Sequence, residues 1–217
     1  MLRIWGADLK LPNVITSGRL LAAPLVTILL LQPRPTPRLL AFVLFVLAAL
    51  SDLWDGYLAR SRGQVTTFGK MADPVADKFL LVSALIPVYT INAQQMEQGV
   101  LPIFGVIPFW VVVVLLGREV LITFLRFIAA RSGQIVAARG IGKRKAVVQN
   151  VFVGAAILWV AFLTPGFKPP DVWVWQWFSG FHGWFVTVCL MAALILTVMS
   201  AVLYMSMFSR IFAGRNP

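Results

Sequence analysis

The sequence is poor in the residues that meet water and in those that cross-link a chain. Only 12% of its 217 residues are charged, and it holds one cysteine and one histidine. The single cysteine, Cys189, lies inside an apolar run, so no internal disulfide is possible and nothing argues for an oxidising compartment. Neither lone residue needs a function: Cys189 is expected in packing, and His182 in an interfacial or loop position. Apolar and polar residues do not alternate as a membrane barrel requires. Spanning segments must therefore be helices, which satisfy their backbone polar groups internally. There is no internal repeat, no second domain and no long basic arm. The net charge of +11 then points to anionic lipid and membrane topology, not to nucleic acid.

What is abundant is apolar surface. Hydrophobic residues make up 59% of the chain, more than a soluble unit of this length can hide, and they recur in runs long enough to cross a bilayer. The expected fold is all-α, a polytopic membrane protein with six transmembrane helices and a short N-terminal interfacial helix over residues 1–10, where Trp5 and Lys10 lie. Span one covers 11–31. It is too long for a signal peptide, and no small-residue cleavage site follows it. Three prolines in 33–37, with Arg34 and Arg38, mark a turn into span two (39–60). A polar stretch, 61–67, leads to span three, which ends near Tyr89, and a polar loop, 92–99, to span four (102–130). A basic loop, 131–145, precedes span five (146–163). Trp173, Trp175 and Trp177 in 164–180 suggest an aromatic belt at the membrane surface before span six (184–207). The whole chain, 1–217, is expected to form one membrane-embedded domain: the interfacial segment 1–10, helices one to five in 11–163, and a Trp-rich loop with the sixth helix in 164–217.

Six spans put both termini on one side of the membrane. Thirteen Lys and Arg fall on that side: Arg3, Lys10, Arg19, Arg60, Arg62, Lys70, Arg131, Arg139, Lys143, Arg144, Lys145, Arg210 and Arg215. Three, Arg34, Arg38 and Lys168, fall on the other, while Lys78, Arg118 and Arg126 lie within spans. The positive-inside bias predicts cytoplasmic termini.

Four of the eight acidic residues lie within 26 positions: Asp52, Asp55, Asp73 and Asp77. Residues three and four apart share a helix face, so Asp52, Asp55, Gly56 and Ala59 form one stripe on span two, and Gly69, Asp73 and Asp77 another on span three. A short connection makes these spans antiparallel neighbours, which predicts four carboxylates meeting near the cytoplasmic boundary. An aspartate at the centre of a span costs about 2.5–3.5 kcal/mol on insertion scales, less toward the interface. Convergent carboxylates also repel one another. Arg60, Lys70 and Lys78 could offset this, but converging carboxylate oxygens are what hard divalent cations prefer. Two ions shared by four carboxylates would suit a two-metal clamp on a phosphoryl-type displacement. Gly56 and Ala59 leave room for a flat ligand, and Arg60 can fork onto a phosphate. Pro74 removes one helical hydrogen bond, which fits either the opening turns of span three or a slight kink that turns Asp77 inward.

The pattern Asp52-x-x-Asp55-Gly56-x-x-Ala59-Arg60, eight residues, then Gly69-x-x-x-Asp73-x-x-x-Asp77, resembles the full signature of the CDP-alcohol phosphatidyltransferase family. The resemblance implies a six-helix membrane fold, a homodimer, and two divalent ions, Mg2+ or Mn2+. By the same resemblance Asp52, Asp55, Asp73 and Asp77 would ligate the metals, with Asp77 the general base. Gly56, Ala59, Arg60 and Gly69, with Asn13 and Thr16, would hold the CDP moiety. The implied reaction moves a phosphatidyl group from CDP-diacylglycerol to an alcohol.

Two further stretches bear on the alcohol. Leu11-Pro12-Asn13, Thr16, Arg19 and Pro24 resemble the opening of the bacterial branch of that family that uses sn-glycerol 3-phosphate and makes phosphatidylglycerophosphate. Gly117-Arg118-Glu119, Ile122-Thr123, Leu125-Arg126, Gly142-Lys143-Arg144-Lys145 and Gln149 are similar to its fourth and fifth helices. Phe124 and Ala146 depart from that pattern, which usually carries glycine and threonine there. From the residues alone, Arg118 and Arg126 are eight positions apart on one helix, about 12 Å along its axis, and too deep for ordinary solvated charges. A phosphorylated alcohol needs cations beyond those on the diphosphate, so Arg118, Arg126, Lys143 and Lys145 are the expected acceptor-phosphate ligands. The alternative is that the two arginines pair with Glu119 or the catalytic acids and the loop lysines only set topology. Other acceptors (inositol phosphate, serine, phosphatidylglycerol) and a divalent-cation transporter are the rival functions. Against transport, the segment after Lys78 is almost wholly apolar and the acids stop near one boundary. The expected setting is a bacterial inner membrane, with membrane lipids, CDP-diacylglycerol and sn-glycerol 3-phosphate as partners and the active site facing the cytoplasm.

Overall fold

Backbone amides cannot stay unpaired in hydrocarbon, so long apolar runs fold as helices. A computed structural model describes residues 11–61, 67–94, 101–131, 141–169 and 171–212, with the side chains of all of these except 11–13, 52–61, 67–72, 130, 141, 143 and 210–212. The described residues form six helices: α1 (Leu11–Leu31), α2 (Pro35–Ser61), α3 (Thr67–Gln94), α4 (Phe109–Arg131), α5 (Ile141–Phe162) and α6 (Val172–Phe212). The expected helix over 1–10 lies outside the described residues. α1, α3, α5 and α6 contain stretches long and apolar enough to cross a membrane, and α2 has a shorter one, Pro35–Ser51. α4 carries Arg118, Glu119 and Arg126 within its length. Large apolar side chains line outer faces, with Leu21 73%, Leu47 60% and Val120 70% exposed. Such continuous apolar surface suits lipid and not water. The chain is an all-α polytopic membrane protein.

It divides into two compact units, Met1–Ile91 with Ala156–Pro169 and Asn92–Ala155 with Pro170–Pro217. In the first, α1 and α2 pack against each other, and Ala23, Val26 and Leu30 of α1 and Ala41, Phe45 and Ala48 of α2 are buried. Ala76, Leu80, Ala84 and Val88 repeat every fourth residue as the buried stripe of α3. Small residues in these stripes let helix backbones approach closely. Pro74 and Pro87 both fall inside α3, so the missing N–H of Pro74 is not absorbed by the first turn. Pro87 cannot donate to the Ser83 carbonyl four residues back. Thr27 Oγ1 of α1 donates to that oxygen instead, at 2.7 Å, and so supplies the bond the proline removes.

Arg38 was expected as an ordinary outer-side cation in a turn, and this is corrected. It lies in α2 and is buried. Its Nε donates to the carbonyls of Leu30 and Gln32, both at 3.1 Å, and its NH1 to Thr164 Oγ1 at 2.7 Å and the Val160 carbonyl at 3.4 Å. The last carbonyls of a helix lack intrahelical donors. Arg38 provides them for the end of α1 and for the end of α5.

In the second unit, Val111, Leu115 and Ile122 of α4, Phe152 and Val153 of α5, and Val186, Leu190 and Ala193 of α6 are buried. Three expectations change here. Span four does not begin at Pro102. Leu101 and Gly105 pair across a tight turn in which Ile103 and Gly105 have positive φ, 71° and 67°. Asn92 Oδ1 accepts the Ile107 N–H at 2.7 Å, and α4 starts only after Pro108. An apolar run punctuated by Pro102, Gly105 and Pro108 folds as a turn, despite its composition. Next, the Trp-rich loop is helical from Val172. Asp171 caps it, its Oδ1 accepting the Trp173 N–H at 2.8 Å and the Val174 N–H at 3.3 Å. α6 is 41 residues long, about 60 Å at the usual rise against a hydrocarbon core of roughly 30 Å. Trp173 and Trp177, 68% and 69% exposed, occupy its first turns. Finally, His182 is not a loop side chain. It is buried on α6, stacked on Phe178 with ring centroids 5.5 Å apart, and its Nε2 lies 3.0 Å from the Ala155 carbonyl.

Candidate active site

Two polar clusters interrupt the apolar helices, one in each unit. The first is built on α3. Asp73 and Asp77 are one turn apart, and both are tethered to α1. Thr16 Oγ1 donates to Asp73 Oδ1 at 2.6 Å, and Arg19 NH1 donates to Asp77 Oδ1 at 2.7 Å. With the Thr27–Ser83 bond these form three rungs in the same chain order, so α1 and α3 run side by side in the same direction. Thr16 and Arg19 are three residues apart and share a face of α1. The Arg19 side chain is fully buried, whereas that of Asp77 is 46% exposed. A buried guanidinium needs a paired carboxylate to offset its desolvation, and Asp77 supplies it.

Asp52, Asp55, Gly56, Ala59 and Arg60 lie on α2 and Gly69 on α3, with side chains outside the described residues, as is that of Asn13 on α1. No group of three acidic, imidazole or thiol side chains gathers among the described residues. The part of the expected metal cage that is described does fit a hard divalent cation. Asp73 and Asp77 offer oxygens on successive turns of one helix, and a carboxylate has about four lone-pair positions. A bond at one oxygen therefore leaves ligation possible.

The second cluster centres on Glu119 of α4. Its Oε1 accepts from Arg118 NH1 at 2.8 Å and from Lys145 Nζ of α5. Arg118 NH2 donates to Ser200 Oγ of α6 at 2.9 Å, and Ser200 in turn donates to the Thr197 carbonyl at 3.0 Å. Arg126 lies over the Tyr204 ring, 5.6 Å from its centroid. Among the described contacts, two cations thus share the Glu119 carboxylate, and Arg126 lies farther along the same helix. Arg118 Nε, Gln149 Nε2 and the Tyr204 hydroxyl are buried with no hydrogen-bond partner among the described residues. Unpaired buried donors beside excess positive charge suit an anionic ligand.

Of the expected acceptor-phosphate residues, the structure gathers Arg118 and Lys145 on Glu119 and places Arg126 against Tyr204. Lys143 falls in the first turn of α5, with its side chain outside the described residues. Lys145 is therefore a buried helical residue and not part of a loop. The pairing of Arg118 with Glu119, weighed as an alternative from sequence, is present. Phe124 and Ala146 both lie on exposed faces of their helices. Sequence reasoning missed Arg19, Ser200 and Tyr204. Arg19 was counted as a topology charge, although a cation three residues after Thr16 inside an apolar span is the sort of intramembrane charge that needs a partner. Ser200 and Tyr204 carry no signal that sets them apart from the other scattered polar residues of α6.

Comparison with known proteins bears on both clusters. The profile of the CDP-alcohol phosphatidyltransferase family matches residues 9–189. A CDP-diacylglycerol–glycerol-3-phosphate 3-phosphatidyltransferase from Bacillus subtilis (strain 168) is 35% identical over 190 residues, covering 81% of this chain and 92% of that protein. One of the same name from Rickettsia bellii (strain RML369-C) is 34% identical over 176 residues, 72% of this chain and 90% of its own length. A probable phosphatidylglycerophosphate synthase from Mycobacterium tuberculosis (strain ATCC 25618 / H37Rv) is 37% identical over 152 residues, 69% of this chain and 66% of that protein. The family match takes in the α2–α3 aspartates and Arg118, Glu119, Arg126 and Lys145 but not Ser200 or Tyr204, and the chain belongs to the CDP-alcohol phosphatidyltransferase family.

Proposed function

We propose that this protein transfers the phosphatidyl group of CDP-diacylglycerol to sn-glycerol 3-phosphate, giving phosphatidylglycerophosphate and CMP. The observation that carries the reading is the pair of α3 carboxylates fixed by α1 within a complete aspartate pattern. The acceptor rests on the cation excess around Glu119 and on the names of the relatives. Asp52, Asp55, Asp73 and Asp77 would hold two divalent ions, Mg2+ or Mn2+. Such ions would neutralise the diphosphate and ease the departure of CMP.

The residues of the chain do the rest. Asp77, its Oδ1 held by Arg19, takes the proton of the acceptor hydroxyl. The hydroxyl oxygen bonds to the phosphorus that bears diacylglycerol, and the bond from that phosphorus to the cytidylate oxygen breaks. Gly56, Ala59, Arg60, Gly69 and Asn13 are assigned to the CDP side. Arg118, Arg126, Lys143 and Lys145 are assigned to the acceptor phosphate, which a forked guanidinium and an ammonium both suit. The reading extends to a homodimer in a bacterial inner membrane with cytoplasmic termini, supported by the bias of Lys and Arg to one side.

Purified protein given CDP-diacylglycerol and Mg2+ is expected to release CMP with sn-glycerol 3-phosphate. Inositol phosphate, serine and phosphatidylglycerol offered in turn should give little. CMP release with one of these and none with glycerol 3-phosphate would overturn the acceptor. Metal flux into liposomes with no CMP from any acceptor would overturn the enzyme.

A further inference from the structure

We infer that α1 is the positioning element of the metal site: Thr16 aims the Asp73 carboxylate and Arg19 the Asp77 carboxylate, so that both meet divalent ions in fixed orientation. This deepens the proposed function and rests on its reading of Asp73 and Asp77 as metal ligands. The geometry is specific. Each α3 carboxylate has its Oδ1 bonded to α1, at 2.6 and 2.7 Å. The spacing of the two α1 residues, three apart, is within one residue of that of the two acids, four apart, on helices running in the same direction. Both donors sit in the packed interior, Thr16 being 2% exposed and the Arg19 side chain 0%. A free aspartate rotates about two bonds, whereas one bonded at Oδ1 presents its remaining lone pairs in a limited set of directions. Groups that hydrogen-bond a ligating side chain orient it, and their loss typically costs about 10–100-fold in metal affinity or activity.

This gives Thr16 a different job from the CDP contact implied by the family pattern. In this structure its hydroxyl donates to Asp73 Oδ1. The two roles separate experimentally because one concerns metal and the other nucleotide. Mn2+ binding to the full-length protein, measured by electron paramagnetic resonance in detergent without any nucleotide, reads the first alone.

Thr16→Val keeps the shape and removes the hydroxyl. It is expected to weaken Mn2+ binding about tenfold while the KM for CDP-diacylglycerol at saturating metal stays within about twofold. Thr16→Ser restores Mn2+ binding to within about threefold of the parent. Arg19→Lys, which keeps the charge but loses the fork, is expected to weaken Mn2+ binding by a similar factor, and it stands as the test if the valine variant does not fold. Unchanged Mn2+ affinity in both Thr16→Val and Arg19→Lys would overturn the inference. So would a rise in the KM for CDP-diacylglycerol with metal binding intact, which would return Thr16 to the nucleotide. A parent protein that binds no Mn2+ would sink the metal reading itself, and this inference with it.

Discussion

Glu119→Gln is the perturbation with the most to lose. It keeps an oxygen acceptor in place but removes the negative charge that Arg118 and Lys145 share. The Lys145 side chain is 3% exposed and that of Arg118 13%, so water cannot take over the carboxylate's role. Removing one member of a buried ion pair costs about 3–5 kcal/mol, because the survivor is left uncompensated. Two cations survive here, which argues for the upper end, but the amide still accepts a hydrogen bond, which argues for the lower. We set the loss at about 3 kcal/mol. At about 2–4 °C per kcal/mol for a domain of 150–250 residues, the apparent Tm should fall by about 6–12 °C. Removing one stranded cation as well, in Glu119→Gln/Lys145→Met, should recover about 0.5–3 kcal/mol relative to the sum of the single losses, the range over which contacting residues couple. The assay is thermal unfolding in detergent followed by the fluorescence of the eight tryptophans, at one fixed scan rate because irreversible unfolding makes Tm depend on rate. A single variant within 2 °C of the parent, or strict additivity in the double, would refute the view that Glu119 holds the two cations together.

Three other outcomes follow from named contacts. Asp77→Asn should reduce CMP release by about 10²–10⁴-fold, the usual worth of a general base, with the protein still monodisperse on gel filtration. Undiminished release would remove Asp77 from that role. Thr27→Val strands the Ser83 carbonyl that Pro87 has already deprived of its helical donor. It should cost about 1–3 kcal/mol, and Pro87→Ala in the same background should regain part of that by restoring the N–H; no recovery in unfolding temperature would contradict the account. Asp171→Ala removes the cap at the start of α6 and should cost about 1 kcal/mol, visible as faster hydrogen exchange at Trp173 and Val174.

The helices were legible because a membrane leaves the chain so few choices. An apolar run of about twenty residues must be a helix, and the start of α1 was placed closely on that ground, whereas the break read from the prolines at 33–37 is shorter, because α2 already begins at Pro35. Where lipid does not dictate the answer, composition misled. Residues 101–108 are apolar enough for a span, yet Gly105 at positive φ and Pro108 make a turn. The tryptophans of 173–177 suggested a surface loop because belt position and backbone conformation are independent properties, and the Asp171 cap decides the second. His182 and Arg38 were misplaced for a related reason. A polar residue near the end of an apolar run can reach back to carbonyls of a neighbouring segment, and only tertiary structure shows which carbonyls are there.

The site divides along the same line. Carboxylate spacing is local, so Asp73 and Asp77 could be put on one face of a helix from sequence alone. What holds them is not local: Thr16 and Arg19 lie 57 and 58 residues away, and no periodicity links them. The same holds for Glu119 and Lys145, 26 residues apart, and for Arg118 and Ser200, 82 apart. In lipid an unpaired charge is costly, so every buried cation implies a partner. Net charge conceals that requirement: a total of +11 invites one explanation for all the cations, whereas burial separates them by role. Arg19 and Lys145 are buried and paired with acids, and Arg38 is buried and paired with carbonyls. Exposed Arg131 and Arg144 have no such need and fit the topology account. An intramembrane cation is therefore better read first through the acid or carbonyl it must meet, and only afterwards as a vote on which side of the membrane it lies.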